Sequence, residues 1–367
     1  MHIELIEHQT KSFERIEIPE TIIDEIEQNY SQQIEVKIKR SQRGDRIELK
    51  AKGWVGHIPL GEKFQITILP KIPLLNLFQL LEYAYNIESF KLLKGLINCQ
   101  SIPEFYSYLA NILARKIIEL NRKGLYRTYR EKTEYSGYLR GRLHWQENLK
   151  KPANVQFKCT YQEHTGDIME NQLLAWTLLV ISHSGLCQEQ AILSVRHAYH
   201  ILQGIVNIKP LIEAEYNNIK YHRLNGDYQP LHNLCKFFLS HSSPSHKIGK
   251  NTMSPFLVNM WRLYELFVAE WLKIHISQDD SIKTQYHFPI HEHIEYIIDI
   301  IIYDKKTKKP RFILDTKYKY EFKKSDFDQV VSSATMLNCP EAILIYPQVI
   351  DKSFDLQRDN IRIRTLT

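Results

Sequence analysis

Ile294-Glu295-Tyr296-Ile297-Ile298-Asp299-Ile300-Ile301-Ile302-Tyr303, followed by Phe312-Ile313-Leu314-Asp315-Thr316-Lys317, decides the reading of the C-terminal third of this chain. Both runs are rich in β-branched and aromatic residues, and the polar stretch 304–310 between them reads as a turn. Each run carries an aspartate in otherwise apolar strand. Side chains alternate along a strand, so Asp315 and Lys317 share a face. A hairpin symmetric about Thr307 sets Asp299 opposite Asp315. Directly opposed residues lie roughly 5 Å apart at Cβ, where like charges repel. One aspartate in a strand ordinarily lies on an exposed face or pairs with a lysine. Two opposed ones, with a lysine on the same face, point to a cation between them. A hard divalent ion, Mg²⁺ (or Mn²⁺), takes carboxylate and carbonyl oxygens and keeps water and phosphate as further ligands. The expected metal ligands are Asp299, Asp315 and the backbone carbonyl of Thr316. Lys317 is then placed to orient a water or to stabilise charge developing on a phosphate. This is the outline of a metal-dependent nuclease.

Composition sets the bounds. A chain of 367 residues, 43% hydrophobic and 25% charged, is expected to be a soluble protein of two or three domains. The opening Met1-His2-Ile3-Glu4-Leu5-Ile6-Glu7 lacks the basic start and apolar core of a secretion signal, and no apolar run is long enough to span a bilayer. The expectation is a cytoplasmic protein with no membrane partner. Five scattered cysteines without a CxxC pair fit reduced thiols. Net charge is +6, and residues 303–324 hold nine basic against three acidic side chains. Such a local excess suits the backbone of double-stranded DNA. Neither a Walker A sequence nor a dinucleotide-binding glycine pattern occurs, so the chain alone is expected to bind no nucleotide.

Along the chain, strands are expected at 34–39, 47–51 and 64–69 after a short helix, with turns at 41–45 and 61–63. Helices follow at 74–85 and 102–120. A second β patch centres on Gly137-Tyr138-Leu139-Arg140-Gly141-Arg142-Leu143-His144-Trp145, with 155–161 as its return strand. Helices resume at 167–182, 188–204 and 229–240, and 240–245 reads as a linker. Then come a helix over 254–275, the aspartate hairpin, a helix capped by Ser325 with Asp328 three residues on, and a last strand at 341–346. The order helix, strand, strand, helix, strand predicts an α/β sandwich around a short mixed sheet. The fold class is α+β, with a β-rich N-terminal region (1–125), a central hairpin and helical region (126–240) and a C-terminal domain (250–367). Read from the residues alone, Glu295 is an edge-exposed charge and His287, His291 and His293 are surface histidines without a zinc set. Glu265 shares a narrow polar stripe with Asn259 and Arg262, so it faces solvent or pairs with the arginine. Gln329 reads as a surface residue.

In order along nearly the whole chain, Trp54-Val55-Gly56-His57-Ile58, Ile66-Thr67-Ile68-Leu69-Pro70-Lys71-Ile72, Gly137 to Gly141, Glu170-Asn171-Gln172-Leu173-Leu174, Met260-Trp261-Arg262-Leu263-Tyr264-Glu265, Asp299, Asp315-Thr316-Lys317, Gln329 and Ile345-Tyr346-Pro347 resemble the McrC family, the nuclease subunit of McrBC-type restriction systems. The resemblance implies a C-terminal PD-(D/E)xK domain, of the restriction-endonuclease-like kind. It implies metal and catalytic roles for Asp299, Asp315 and Lys317, and supporting roles for Glu265 and Gln329. Ile298 stands where the family often has proline, a departure that leaves the aspartate in place. It further implies a partner AAA+ GTPase of McrB type, whose hydrolysis the N-terminal region stimulates. The segments 40–45 and 149–152 are candidates to contact that partner from exposure and charge. The expected function is a Mg²⁺-dependent DNA endonuclease subunit of a restriction complex. Its rivals are a catalytically idle subunit that only stimulates the partner, and a nuclease that works alone.

Overall fold

The structure is a computed structural model that describes residues 1–40, 45–61, 64–87, 101–150, 155–242, 255–291, 294–319, 321–351, 353–358 and 360–367. Most of the turn 41–45, Glu62 and Lys63, the linker from residue 243 on, parts of both partner-contact segments and His293 lie outside these residues. The chain forms two compact units, Met1–Cys99 with Phe256–Thr367, and Gln100–Pro255. This grouping differs from the three consecutive segments expected from the sequence.

The first part of the chain contributes β1 (His2–Ile6), β2 (Thr10–Glu14), α1 (Glu20–Asn29), β3 (Ile34–Lys39), β4 (Arg46–Ala51), β5 (Trp54–Leu60), β6 (Phe64–Leu69) and α2 (Leu74–Ala84). Three of the strands were expected; β1, β2 and β5 are additional. One sheet runs β2-β4-β3, and its inward residues Ile34, Ile47, Leu49 and Ala51 join Ile3, Leu5, Ile58, Ile66 and Ile68 in one core.

The second unit holds α3 (Ile102–Lys123), β7 (Thr128–Ser136), β8 (Arg142–Leu143), α4 (Trp145–Leu149), β9 (Phe157–Thr165), α5 (Met169–His183), α6 (Glu189–Gln203), α7 (Glu213–Asn217) and α8 (Tyr228–His241). Ser101 caps α3, its Oγ accepting from the Glu104 N–H at 3.3 Å. The β patch expected at 137–145 is mostly turn. Its ladder is instead β7 against β9, paired over nine residues. Strand β7, Thr-Tyr-Arg-Glu-Lys-Thr-Glu-Tyr-Ser, is largely exposed on both faces and so carries no apolar alternation to reveal it.

The chain then returns to the first unit with β10 (Phe256–Asn259), α9 (Met260–His275), β11 (Asp280–His291), β12 (Ile294–Asp304), β13 (Pro310–Thr316), α10 (Lys324–Met336), β14 (Glu341–Ile345), β15 (Asp355–Arg358) and β16 (Ile361–Leu366). The start of the expected helix 254–275 is therefore a strand. It pairs antiparallel with β5 and completes a sheet of order β1-β6-β5-β10. Gly56 makes this approach feasible: its φ is +151°, and a Cβ there would lie 1.9 Å from the Phe256 carbonyl oxygen.

The last strands form a six-stranded sheet of order β11-β12-β13-β14-β16-β15. Strand β12 runs antiparallel to both β11 and β13, the strands β13, β14 and β16 run parallel, and β15 closes the edge antiparallel. The sheet is thus mixed, as expected, but longer than the short sheet expected. Helix α10 packs on β13, β14 and β16 through Val330 and Ala334, over Ile301, Ile313, Ala342, Leu344 and Ile363. Ser325 does not cap it: the Asp326 carboxylate accepts from the Lys323 N–H at 3.2 Å. The four described cysteines are free thiols. Among the described residues, no helix is long and apolar enough to cross a membrane.

Candidate active site

Strands β12 and β13 pair from Tyr303 and Pro310 to Ile300 and Leu314. One further step in that register brings Asp299 and Asp315 level. On the other side of β12, Thr284 pairs with Ile300 and Tyr286 with Ile298, while Gln285, facing Asp299 in that register, is left out of the ladder. Gln285 has φ +48°, a conformation that a residue with a Cβ rarely adopts inside a strand. The regular pairing is therefore broken at Asp299 toward β11, where it resumes at Ile298, and ends before Asp299 toward β13. Its Oδ2 instead accepts from the Thr316 N–H at 2.8 Å and the Thr316 hydroxyl at 3.0 Å.

Asp315 is 5% exposed, and its Oδ2 lies 2.6 Å from Lys317 Nζ. Lys317 also donates to Gln329 Oε1 at 3.0 Å, which ties the strand end to the first turns of α10. Burial pushes the Asp315 carboxyl up to about 6; the Lys317 ammonium pulls it down and the Asp299 charge pushes it up again. Helix α9 begins at Asn259, whose Oδ1 accepts from the Arg262 N–H at 3.1 Å. That cap aims Trp261, Arg262 and Glu265 at the site, while Leu263, Tyr264 and Val268 are buried. Glu265 accepts a hydrogen bond from Gln285. Burial raises its carboxyl above the usual range, with the Gln285 bond lowering it, Asp299 raising it and Arg262 lowering it. An open pocket of about 580 Å³ is lined by Trp261, Arg262, Glu265, Gln285, Asp299, Thr316, Lys317, Lys319 and Asp326, among others.

The fold thus places Asp299, Thr316, Lys317 and Glu265 on one pocket, and joins Asp315 and Gln329 to it through Lys317. Two readings made from single residues are corrected. Gln329 is a half-buried partner of Lys317, and Glu265 is half-buried and bonded to Gln285, neither simply facing solvent. Glu295 is exposed as expected, and His287 Nδ1 lies 2.8 Å from its carboxylate. Gln285 itself was not foreseen, because no strand was expected over 280–291; the alternation of Ile282, Thr284, Tyr286 and Phe288 was the available signal. The basic stretch is also less positive than its composition. Lys306 meets Asp279 at 3.4 Å, Arg311 meets Asp280 at 2.9 Å, Lys317 meets Asp315 and Lys319 meets Asp326.

Among the described residues, no three His, Cys, Asp or Glu side chains converge as a metal cluster. Two adjacent carboxylates, one of them buried with a raised pKa, suit an ion that keeps several waters and borrows substrate oxygens, as Mg²⁺ does. Positive charge between them would offset the burial and, after it, the Asp299 repulsion that hold Asp315 up.

Residues 49–347 match the family described as McrBC 5-methylcytosine restriction system component. In sequence the chain is similar to the type IV methyl-directed restriction enzyme EcoKMcrBC of Escherichia coli (strain K12), at 22% identity over 227 residues. That match covers 59% of this chain and 63% of the relative, less than two thirds of the relative's length. In structure it is similar to a chain of the half-complex from the tetradecameric assembly of Thermococcus gammatolerans McrB AAA+ hexamers with bound McrC. There the TM-score is 0.59 at 15% identity, covering 100% of this chain and 94% of that one. A chain of the Thermococcus gammatolerans McrBC complex matches with a TM-score of 0.48 at 19% identity, over 76% of this chain and 89% of that one. The first structural match shows a shared α+β fold with several sheets.

Proposed function

The chain belongs to the family of McrBC 5-methylcytosine restriction system components, and from that premise we propose that it is the Mg²⁺-dependent (or Mn²⁺-dependent) DNA endonuclease subunit of such a system. The observation that carries the reading is that Asp299 and Lys317 line one open pocket with the buried Asp315 paired to Lys317 behind it, and that the backbone ladder is interrupted on both sides of Asp299. The mixed sheet with its aspartates on adjacent strands and Lys317 two residues on supports a PD-(D/E)xK domain. In this reading Asp299, Asp315 and the Thr316 carbonyl hold the ion. When bound, Mg²⁺ polarises the scissile phosphate and lowers the pKa of an attacking water. Lys317, held by Asp315 and Gln329, carries positive charge to the phosphate, and Glu265 shapes the pocket wall beside Asp299. The partner is an AAA+ GTPase of McrB type, the substrate is double-stranded DNA, and the complex acts in the cytoplasm.

The test uses the full chain with an McrB-type partner. Asp299→Ala, Asp315→Ala and Lys317→Ala are each expected to lower DNA cleavage by about 10²-fold or more while stimulation of GTP hydrolysis is kept. Undiminished cleavage by Asp315→Ala would sink both the site and the nuclease reading. Stimulation without cleavage by the wild type would favour an idle regulatory subunit instead.

A further inference from the structure

Tyr318 follows Lys317 directly, and residues from the opposite end of the chain grip it at three points. Strands β1 and β6 run parallel, and their ladder ends at Ile6 and Leu69. Beyond it, the Glu7 N–H donates to the Leu69 carbonyl at 2.9 Å and the Lys71 N–H to Glu7 Oε2 at 3.4 Å, so both side chains leave this sheet edge together. The Tyr318 hydroxyl donates to Glu7 Oε2 at 3.2 Å. Lys71 Nζ sits 4.1 Å from the centre of the Tyr318 ring and donates to the Tyr318 carbonyl at 3.3 Å. Glu7 and Tyr318 are each 2% exposed. The backbone on either side is also held: the Lys317 N–H donates to the Ile345 carbonyl and the Lys319 N–H to the Lys317 carbonyl, both at 2.8 Å.

A half-buried lysine beside a buried glutamate gains little stability from their attraction. What the pair does supply is a fixed place for the peptide that follows Lys317. We propose that Lys71 is a positioning residue for DNA cleavage: through the carbonyl and ring of Tyr318 it fixes the backbone that carries Lys317, and so keeps Lys317 Nζ between Asp315 and Gln329. The proposal rests on the endonuclease reading for its consequence, but not for its geometry. Displacing a catalytic group by about 1 Å can lower a rate by about 10²-fold. The proposal also gives the Pro70-Lys71-Ile72 stretch a task in the site more than 240 residues downstream.

Lys71→Met keeps the apolar stem over the ring and removes the ammonium. Lys71→Met with Glu7→Gln avoids leaving a buried carboxylate without its lysine, with only His8 at 3.3 Å and the Tyr318 hydroxyl beside it, and Lys71→Arg keeps a donor for the carbonyl. Two readouts are needed in the full chain: amide hydrogen exchange across residues 317–319, and kcat and KM for DNA cleavage with the partner. Both Met variants are expected to exchange faster at the Lys317 amide and to lose about 10-fold or more in kcat at unchanged KM. Lys71→Arg is expected to restore both to within about threefold. Unchanged exchange in the folded double variant overturns the proposal, and so does an unchanged kcat. If the wild type does not cleave, the endonuclease reading fails separately, and exchange alone then decides whether Lys71 holds this backbone.

Discussion

Asp315 shows how one residue reports on the site. Its carboxyl, pushed up to about 6 by burial, binds a proton more tightly in the folded chain than at the ordinary 3.8. The sign follows: its favourable contribution is complete below about 3.8 and is lost as the pH rises through about 6. Above that, the ionised group is held in place at a cost on the order of 3 kcal/mol. Asp315→Asn should therefore abolish cleavage and yet leave the metal-free protein at least as stable at pH 8, with the advantage shrinking at pH 4. Mg²⁺ should raise the melting temperature of the wild type by mass action and raise that of the variant less. Melting curves at both pH values, with and without Mg²⁺, check this. A clear loss of stability at pH 8 would make Asp315 a structural partner of Lys317 instead of a strained ligand. Asp299, Asp315 and Lys317 were legible in the sequence because strand alternation puts them at computable positions. The placements of Glu265 and Gln329 were not, because their partners, Gln285 and Lys317, come from other elements.

At the scale of elements, the pairing of β10 with β5 decides how the chain is grouped. Four residues after the central unit, Phe256–Asn259, enter the N-terminal sheet, and the Met260 N–H donates to the Gly53 carbonyl at 3.0 Å. Gly56 is the point of closest approach. Gly56→Ala should destabilise the protein by roughly 2–4 kcal/mol, because the new Cβ must push the Phe256 carbonyl away from an already left-handed backbone. Urea unfolding of the full chain measures it; an unchanged midpoint would mean that β10 is not held at β5. The second glycine of the Gly137-x-x-x-Gly141 stretch has a similar reason, since φ is +56° and a Cβ would lie 2.4 Å from the Thr160 carbonyl oxygen. The sequence marks both glycines, but it does not say which distant strand lies against them.

Across the whole molecule, each compact unit contains a buried neutral histidine. His57, 6% exposed, is pushed down to about 4 by burial and then by His2. His232, fully buried, is also pushed down to about 4 by burial, with the Glu170 carbonyl raising it and Lys236 lowering it. The Tyr221 hydroxyl at 2.9 Å and that carbonyl at 3.0 Å occupy its two ring nitrogens. A lowered folded pKa means that the unfolded chain binds the extra proton. The stability these histidines contribute is present above about 6.5 and is lost as the pH falls toward 4. Each is worth on the order of 3 kcal/mol over that window. Melting temperature should fall steeply between pH 6.5 and pH 4, and His57→Asn with His232→Asn should flatten that fall whatever it does at pH 8. A parallel curve for the double variant would place the acid sensitivity elsewhere.

By itself, the sequence determined the aspartate hairpin, its register, the mixed sheet around it and most helices of the central unit. These rest on local alternation, helical periodicity and turn chemistry, which act over a few residues and are written in consecutive positions. Tertiary structure alone decided that residues 1–99 and 256–367 form one unit, that Gln285 interrupts the sheet beside Asp299, and that Glu7 and Lys71 clasp Tyr318. Each of these depends on a contact between residues far apart in the chain, whose partner no local pattern names. Strands without apolar alternation, such as β7, were hidden for the related reason that solvent on both faces leaves no period to read.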